Sequence, residues 1–203
     1  MEILPCKDEN EWVDTINEWI VSNIKNQGVR RIFLPAGDTP RPLYENWESQ
    51  GAPFGPSIQL MQLDEVLAEQ GRRPFRDFFK QTLPSFQKQF LYIDEADSCA
   101  DLALLGLGLN GHMAFHEPGL GDDFFSGCLN LNVETCRRLK IPDGSRAVSY
   151  GLAAFLKTKS IALIVRGEAK REILKEVLRE GCDLPAAKLK GHGRLSIVTD
   201  FSV

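Results

Sequence analysis

The stretch "SIALIVRGEAKREILKEVLREG", residues 160–181, decides the fold class, because it joins an unbroken apolar run to a helical pattern. The run Ile161–Val165 contains no polar residue, which is typical of a strand that is covered on both faces. Apolar residues then recur at helical spacing and predict one buried stripe, formed by Ile173, Leu174, Val177 and Leu178. A second apolar run, "RLSIVTD" (194–200), follows, so this part of the chain predicts strand, helix and strand.

The same alternation extends toward the N-terminus. Further strands are predicted at "RRIFLPAG" (30–37), "IQLMQLDE" (58–65), "FLYI" (90–93), "LALLGLG" (102–108) and "CLNLNV" (128–133). Helices are predicted at 9–25, from "TPRPLYEN" (39–46) with Thr39 as its cap, and at "PFRDFFKQTL" (74–83). We therefore predict one α/β domain over residues 1–203, an open, mostly parallel, Rossmann-like sheet with helices on both faces.

Composition argues against several function classes. The net charge of -4 gives no broad basic surface, so we expect no nucleic-acid partner. The five cysteines are scattered and never form Cys-x-x-Cys, which argues against a disulfide framework or a zinc ribbon and favours a reducing compartment. The longest apolar stretch falls well short of the ~20 residues of a membrane helix. We expect a cytoplasmic protein with no membrane partner, and composition does not predict its oligomeric state.

Polar and glycine-rich residues follow the predicted strands, where ligands bind in open α/β sheets. These residues are Gly37, Asp38 and Thr39, then Asp64 and Glu65, then 106–119, then 167–170, and Asp200. Because the carboxyl ends of parallel strands meet at one rim, we expect these groups to lie near one another.

Two of these stretches have cations or amides suited to an anion. "PAGDTP" (35–40) either offers backbone N–H groups and the Thr39 hydroxyl to a phosphate or is simply a capped helix start. Lys170 stands in the first turn of a predicted helix, where the helix dipole disfavours a cation unless an anionic ligand is bound. The alternative for Lys170 is an exposed ion pair with Glu168 or Glu172.

The acids Asp64 and Glu65 directly follow an apolar run. A carboxyl shielded in this way can have a raised pKa and act as a proton-transfer base. The alternative is that these acids cap a helix or a turn.

The stretch "GLGLNGHMAFHEPG" (106–119) permits three interpretations. His112, His116 and Glu117 have a spacing that suggests a metal site on a helix, although the glycines argue against a continuous helix. A glycine-rich loop would instead present Asn110, His112 and Glu117 to a cleft, with Glu117 raising the pKa of the histidine. A buried structural histidine is the third possibility.

Taken together and in this order, these stretches resemble the glucosamine-6-phosphate deaminase and 6-phosphogluconolactonase superfamily. "LPAGDTP" (34–40) is similar to its phosphate loop, "LDE" (63–65) to its Asp-Glu strand end, and "GLGLNGHMAFHEPG" to its histidine loop. "SRAVSYGLAAFLKTKSIALIVRGEAKRE" (145–172) is similar to its late strand and lysine-bearing helix. Phe115 and Glu117 favour the deaminase branch, because the lactonases usually lack that glutamate.

The resemblance implies an amino-sugar phosphate isomerase that releases ammonia, most simply from glucosamine 6-phosphate, with fructose 6-phosphate as the other product. In that mechanism Gly37, Asp38, Thr39 and Lys170 hold the substrate phosphate. Asp64 moves a proton between C2 and C1, and His112, oriented by Glu117 and Asn110, opens the sugar ring. No metal or other cofactor is expected, and either Arg137 or Arg138 is the arginine that helps to hold the phosphate.

Two alternatives stay open, and two departures from the family pattern motivate one of them, that of a protein with impaired catalysis. Asn110 stands where the family has aspartate, and Asp38 stands where it has glycine. The alternatives are hydrolysis of a 6-phosphosugar lactone, with His112 activating water, and a sugar-phosphate-binding protein with impaired catalysis.

Overall fold

The structure, a computed structural model, describes residues 1–68, 71–94 and 99–203. Its strands are β1 (Glu2–Pro5), β2 (Arg31–Leu34), β3 (Gln59–Gln62), β4 (Asp64–Leu67), β5 (Phe90–Leu91), β6 (Leu102–Gly106), β7 (Ser126–Asn130), β8 (Arg146–Tyr150), β9 (Ser160–Val165) and β10 (Leu195–Thr199). Its α-helices are α1 (Glu9–Gln27), α2 (Arg41–Gln50), α3 (Pro74–Thr82), α4 (Val133–Leu139), α5 (Leu152–Phe155), α6 (Arg171–Leu178) and α7 (Pro185–Lys188). Short 3-10 helices span Pro84–Gln89, Glu168–Lys170 and Leu189–Gly191.

The main sheet has seven strands in the order β1-β10-β9-β6-β2-β3-β5. Every neighbouring pair in it is parallel. The prediction of an α/β fold with a mostly parallel, Rossmann-like sheet is therefore confirmed.

Two hydrophobic clusters cover the two faces of this sheet. Alternate residues of β2 enter different clusters, since Ile32 and Leu34 belong to one and Phe33 to the other. Helices α1, α2 and α3 contribute to the first cluster, and α5, α6 and α7 to the second. Burial on both faces explains why the strands read as continuous apolar runs.

A second sheet, in the order β4-β8-β7, is antiparallel and was not predicted. The prediction of one strand over 58–65 is wrong, because the chain leaves the main sheet at Leu63 and enters this sheet at Asp64. Asp64 and Glu65 are therefore the first two residues of β4, and they do not belong to β3. The register pairs Asp64 with Ser149 on β8, which gives both acids a fixed backbone.

Two details at helix starts also differ from prediction. Helix α2 begins at Arg41, its N-cap is Pro40, and no side chain caps it, so the prediction that Thr39 caps this helix is wrong. The helix predicted in the second part of the 160–181 stretch begins as the 3-10 turn Glu168–Lys170 and continues as α6. Separately, none of the helices in the described part of the chain has the length and apolar character needed to cross a membrane.

Candidate active site

A cavity of about 380 Å³ opens at the carboxyl ends of β2 and β6, beside the start of β4. Its wall contains six of the eight predicted site residues, namely Gly37, Asp38, Thr39, Asp64, His112 and Lys170. The other predicted residues, Asn110 and Glu117, are not in this wall. The expectation that the strand-end residues lie near one another holds for these six.

The loop after β2 forms one end of the cavity. Gly37 has φ 103, a left-handed value that favours glycine. The Lys170 ammonium donates to the Thr39 hydroxyl over 3.0 Å. The Asp38 carboxylate is 93 % exposed and is directed toward Arg41, at 3.4 Å, so it does not stand between Lys170 and an incoming anion.

Lys170 is not the exposed, ion-paired lysine of the alternative interpretation. In this turn it is Arg171 that pairs with Glu168. Burial, followed by the positive charges of Arg138 and Arg166, lowers the pKa of Lys170 to about 8. Neighbouring cations around the half-buried Lys170 favour a bound anion, which would relieve their repulsion.

Asp64 lies on the cavity wall and is 6 % exposed. Burial, and then the negative charge of Glu65, raise the pKa of Asp64 to about 8. This is the direction expected for a shielded carboxyl, and the proton-transfer role of Asp64 stays a prediction. A carboxyl with a pKa near neutrality can both accept and return a proton during a reaction.

His112 packs closely over the backbone of its own loop. A Cβ at Gly108 would come within 2.2 Å of the His112 ring, so only glycine leaves room for the imidazole. The ring nitrogen Nδ1 contacts Asn110 Oδ1, and Nε2 lies 3.1 Å from a nitrogen of Arg138. Because a guanidinium only donates, Nε2 must accept, which places the ring proton on Nδ1, facing the amide oxygen.

The environment keeps His112 neutral. Burial, and then the charges of Arg138 and Lys170, lower its pKa to about 3. The predicted increase of this pKa by Glu117 is therefore wrong. The Glu117 carboxylate instead accepts hydrogen bonds from Asn132 and from the Thr135 hydroxyl, at the start of α4. Glu117 thus joins the histidine loop to α4.

His116 does not share a site with His112. It is fully buried, and its Nδ1 accepts from the backbone N–H of Leu152, the first residue of α5. Its Nε2 is buried without a hydrogen-bond partner. Among the described residues there is no cluster of three or more His, Cys, Asp or Glu side chains that could hold a metal ion. The structure supports the interpretations of a cleft loop for His112 and of a structural histidine for His116.

Two features of the cavity wall go beyond the sequence prediction, namely the choice between the two candidate arginines and an aromatic pair. Of the two candidate arginines, Arg138 reaches the cavity from α4, and Arg137 is absent from its wall. An aromatic pair, Phe75 from α3 and Phe115 from the histidine loop, stacks with ring centroids 5.7 Å apart at 17° and lines the cavity. Phe75 lies in the helix predicted at 74–83, but sequence spacing does not distinguish a core residue from a cavity-wall residue.

The chain is similar in sequence to known proteins. Residues 61–197, more than half of the chain, match the model of the family described as glucosamine-6-phosphate isomerases/6-phosphogluconolactonase. The glucosamine-6-phosphate deaminase of Enterococcus faecalis is 27 % identical over 86 % of this chain and 87 % of its own length. That of Latilactobacillus sakei is 27 % identical over 98 % of this chain and 96 % of its own length.

Solved structures show the same fold. A monomeric glucosamine-6-phosphate deaminase superposes with a TM-score of 0.77 at 23 % identity, covering 98 % of this chain and 97 % of that one. The 6-phosphogluconolactonase of Leishmania guyanensis superposes with a TM-score of 0.74 at 16 % identity, covering 98 % of this chain and 95 % of that one. With the family model matching across the histidine loop, the late strands and the lysine-bearing turn, the chain belongs to the glucosamine-6-phosphate isomerase/6-phosphogluconolactonase family.

Proposed function

We propose that this protein converts glucosamine 6-phosphate and water to fructose 6-phosphate and ammonia. The observation that carries the proposal is the placement of Asp64, His112 and Lys170 around one cavity. A proton-transfer carboxyl, a neutral imidazole and a cation are the groups that an aldose–ketose isomerisation of a phosphosugar requires. The curated relatives named glucosamine-6-phosphate deaminase support the same substrate.

The substrate phosphate binds at the end of the cavity formed by the 37–39 loop, Lys170 and Arg138. Backbone N–H groups, the Thr39 hydroxyl and two cations supply the hydrogen bonds and the charge for a dianion. Lys170 is already held by Thr39 at 3.0 Å, so little ordering is needed when the phosphate arrives.

His112 opens the sugar ring, because its imidazole is neutral and can accept a proton. Its Nε2 lone pair takes the proton of the C1 hydroxyl and returns it to the ring oxygen, which leaves an open-chain aldehyde. Arg138 occupies Nε2 in this structure, so the phosphate must draw the guanidinium away before Nε2 can act. Asn110 and Glu117 are positioning residues in this scheme, the first at Nδ1 and the second through α4.

Asp64 then performs the isomerisation. Its carboxylate removes the proton from C2 and delivers it to C1, while a proton passes from the 2-amino group to the C1 oxygen. Water then adds to the resulting C2 imine, and loss of ammonia leaves the ketone. With a pKa of about 8, roughly a tenth of Asp64 is ionised at pH 7. The rate should therefore rise with pH until Asp64 is ionised and fall as Lys170, also near 8, loses its charge.

The second candidate is hydrolysis of a 6-phosphosugar lactone. Once Arg138 has left Nε2, the neutral imidazole can activate water for attack on the lactone carbonyl, and the low pKa of His112 favours the neutral ring. Hydrolysis of this kind has no need of a carboxyl that carries a proton between two carbons, so Asp64 distinguishes the two reactions.

The test is a pair of assays on one preparation. Ammonia release from glucosamine 6-phosphate is compared with hydrolysis of 6-phosphogluconolactone, in the wild type, Asp64→Asn and His112→Gln. The proposal expects ammonia release that both substitutions abolish, while His192→Gln, a change outside the cavity wall, leaves it intact. Hydrolysis that survives Asp64→Asn, without ammonia release, identifies a lactonase; binding without either product identifies an impaired enzyme.

A further inference from the structure

The carboxylate of Glu65 holds the start of a helix that begins nine residues later. Pro74, the first residue of α3, has no N–H, and the N-cap Arg73 supplies no capping side chain. The next two backbone N–H groups donate to Glu65, that of Phe75 to Oε1 over 3.0 Å and that of Arg76 to Oε2 over 2.7 Å. The helix dipole also stabilises a negative carboxylate at this position, near the N-terminus of α3.

The remaining lone pairs of Glu65 are used within its own strand region. Oε1 accepts from the Val66 N–H over 2.8 Å, and Oε2 accepts from the Gln62 amide over 3.0 Å. Glu65 is 1 % exposed, so this charge is held by four protein donors in a site that water barely reaches.

The first turn of α3, which Glu65 holds, contributes a side chain to the wall of the cavity. Phe75 lies in that wall and stacks against Phe115, and its own backbone N–H is one of the four donors. Asp64, the preceding residue on β4, points to the opposite side of the strand and into the cavity. One strand therefore holds the proton-transfer carboxyl on one side and the anchor of the aromatic wall on the other.

We propose that Glu65 is a positioning residue, which fixes Phe75 as a wall of the substrate cavity and acts on Asp64 through its charge from the next position of β4. Its effect on turnover rests on the proposed function. Its effect on α3 and on Asp64 is a property of the protein without substrate.

The charges around Asp64 are consistent with this role. Burial and then the Glu65 charge raise the pKa of Asp64, and Asp64 in turn contributes to the raised pKa of the buried Tyr44 on α2. Across the cavity Asp64 faces the ionisable groups His112, Arg138 and Lys170. Glu65 is the only carboxylate that contributes to the shift of Asp64 among the described residues.

Two substitutions separate the effect of the Glu65 charge from the effect of its side-chain length. Glu65→Gln removes the charge, so the titration midpoint of the Asp64 carboxyl, followed by carbon NMR, should fall by about one pH unit. Glu65→Asp keeps the charge but is one methylene shorter, so this midpoint should stay near the wild-type value. Both variants should speed amide exchange at Phe75 and Arg76 about tenfold or more, and Asp77→Asn, an exposed acid in the same turn, should change neither readout.

Amide exchange in the wild type tests the proposal even if a variant does not fold. The Phe75 and Arg76 amides should be protected, although the amides of a first helical turn normally exchange readily. Unprotected amides, or a folded Glu65→Gln variant with an unchanged Asp64 midpoint, would overturn the proposal. No turnover is needed for either readout, so failure here is distinguishable from failure of the proposed reaction.

Discussion

Replacing Asn110 with aspartate changes one charge at the imidazole of His112. Asn110 Oδ1 contacts His112 Nδ1, so the substitution places a carboxylate against the nitrogen that carries the ring proton. The shape of the side chain is almost unchanged, and Gly108 still leaves space for the ring. The wild type and the Asn110→Asp variant therefore differ mainly in the electrostatic environment of His112.

The magnitude follows from the present state of the ring. The pKa of His112 is about 3, because burial and the charges of Arg138 and Lys170 disfavour the imidazolium. A carboxylate in contact should raise it by about 1–3 units, which stabilises the imidazolium by roughly 1.4–4 kcal/mol. The imidazole is still largely neutral at pH 7, so it remains a base. If about half of this stabilisation is felt when the proton is half transferred, ring opening accelerates roughly 3- to 30-fold.

The chain has only three histidines, His112, His116 and His192, so each Cε1 proton can be followed in one NMR titration. The Asn110→Asp variant should raise the His112 midpoint. Ammonia release should rise in parallel wherever ring opening limits the rate. An unshifted His112 midpoint, or a shifted midpoint accompanied by slower turnover, would refute this reasoning.

Three further predictions concern the cavity wall. Lys170→Met removes a charge-assisted phosphate contact of about 1.5–3 kcal/mol, so the dissociation constant of glucosamine 6-phosphate, measured by calorimetry, should rise roughly 10- to 150-fold; an unchanged constant would place the phosphate elsewhere. Asp38→Gly should change that constant less than about twofold, because the carboxylate is 93 % exposed and directed toward Arg41, and a much tighter complex would show that it opposes the anion. The pKa of Asp64 is about 8 in the folded protein against an ordinary 3.8, so folding binds a proton between these values and stability falls as pH rises through this window. Asp64→Asn should therefore raise the Tm at pH 9 and change it much less at pH 4, whereas an equal change at both pH values would contradict the shift.

The main sheet was predictable because its strands are buried on both faces. Runs such as Ile161–Val165 are apolar throughout, and the intervening helices have clear apolar stripes. The second sheet was missed, because no local signal shows that the chain changes sheets at Leu63. The strand predicted at 128–133 overlaps β7, which alternates between exposed and half-buried residues and lacks the apolar run of the main strands, but its place in a separate sheet was not predicted.

The residue types of the site were predictable, but several of their partners were not. Thr39 has the local preference of a helix cap, yet its hydroxyl is used by Lys170, a residue distant in sequence. Glu117 was expected beside His112, but its partners are supplied by α4, which has seven residues and is too short for its periodicity to show. The same helix supplies Arg138, whose contact with Nε2 of His112 determines which ring nitrogen carries the proton. Such contacts depend on tertiary structure and have no local sequence signal.

The most direct measurement follows the hydrogen that Asp64 is proposed to move. Glucosamine 6-phosphate labelled with deuterium at C2 is converted, and the label is located by NMR while ammonia is counted. The proposed mechanism predicts that the label leaves C2 for C1 or for water as ammonia is released, and that in Asp64→Asn it stays on C2 although the sugar phosphate still binds. Ammonia release with the label retained at C2, or undiminished transfer in Asp64→Asn, would contradict the role of Asp64 at the centre of this site.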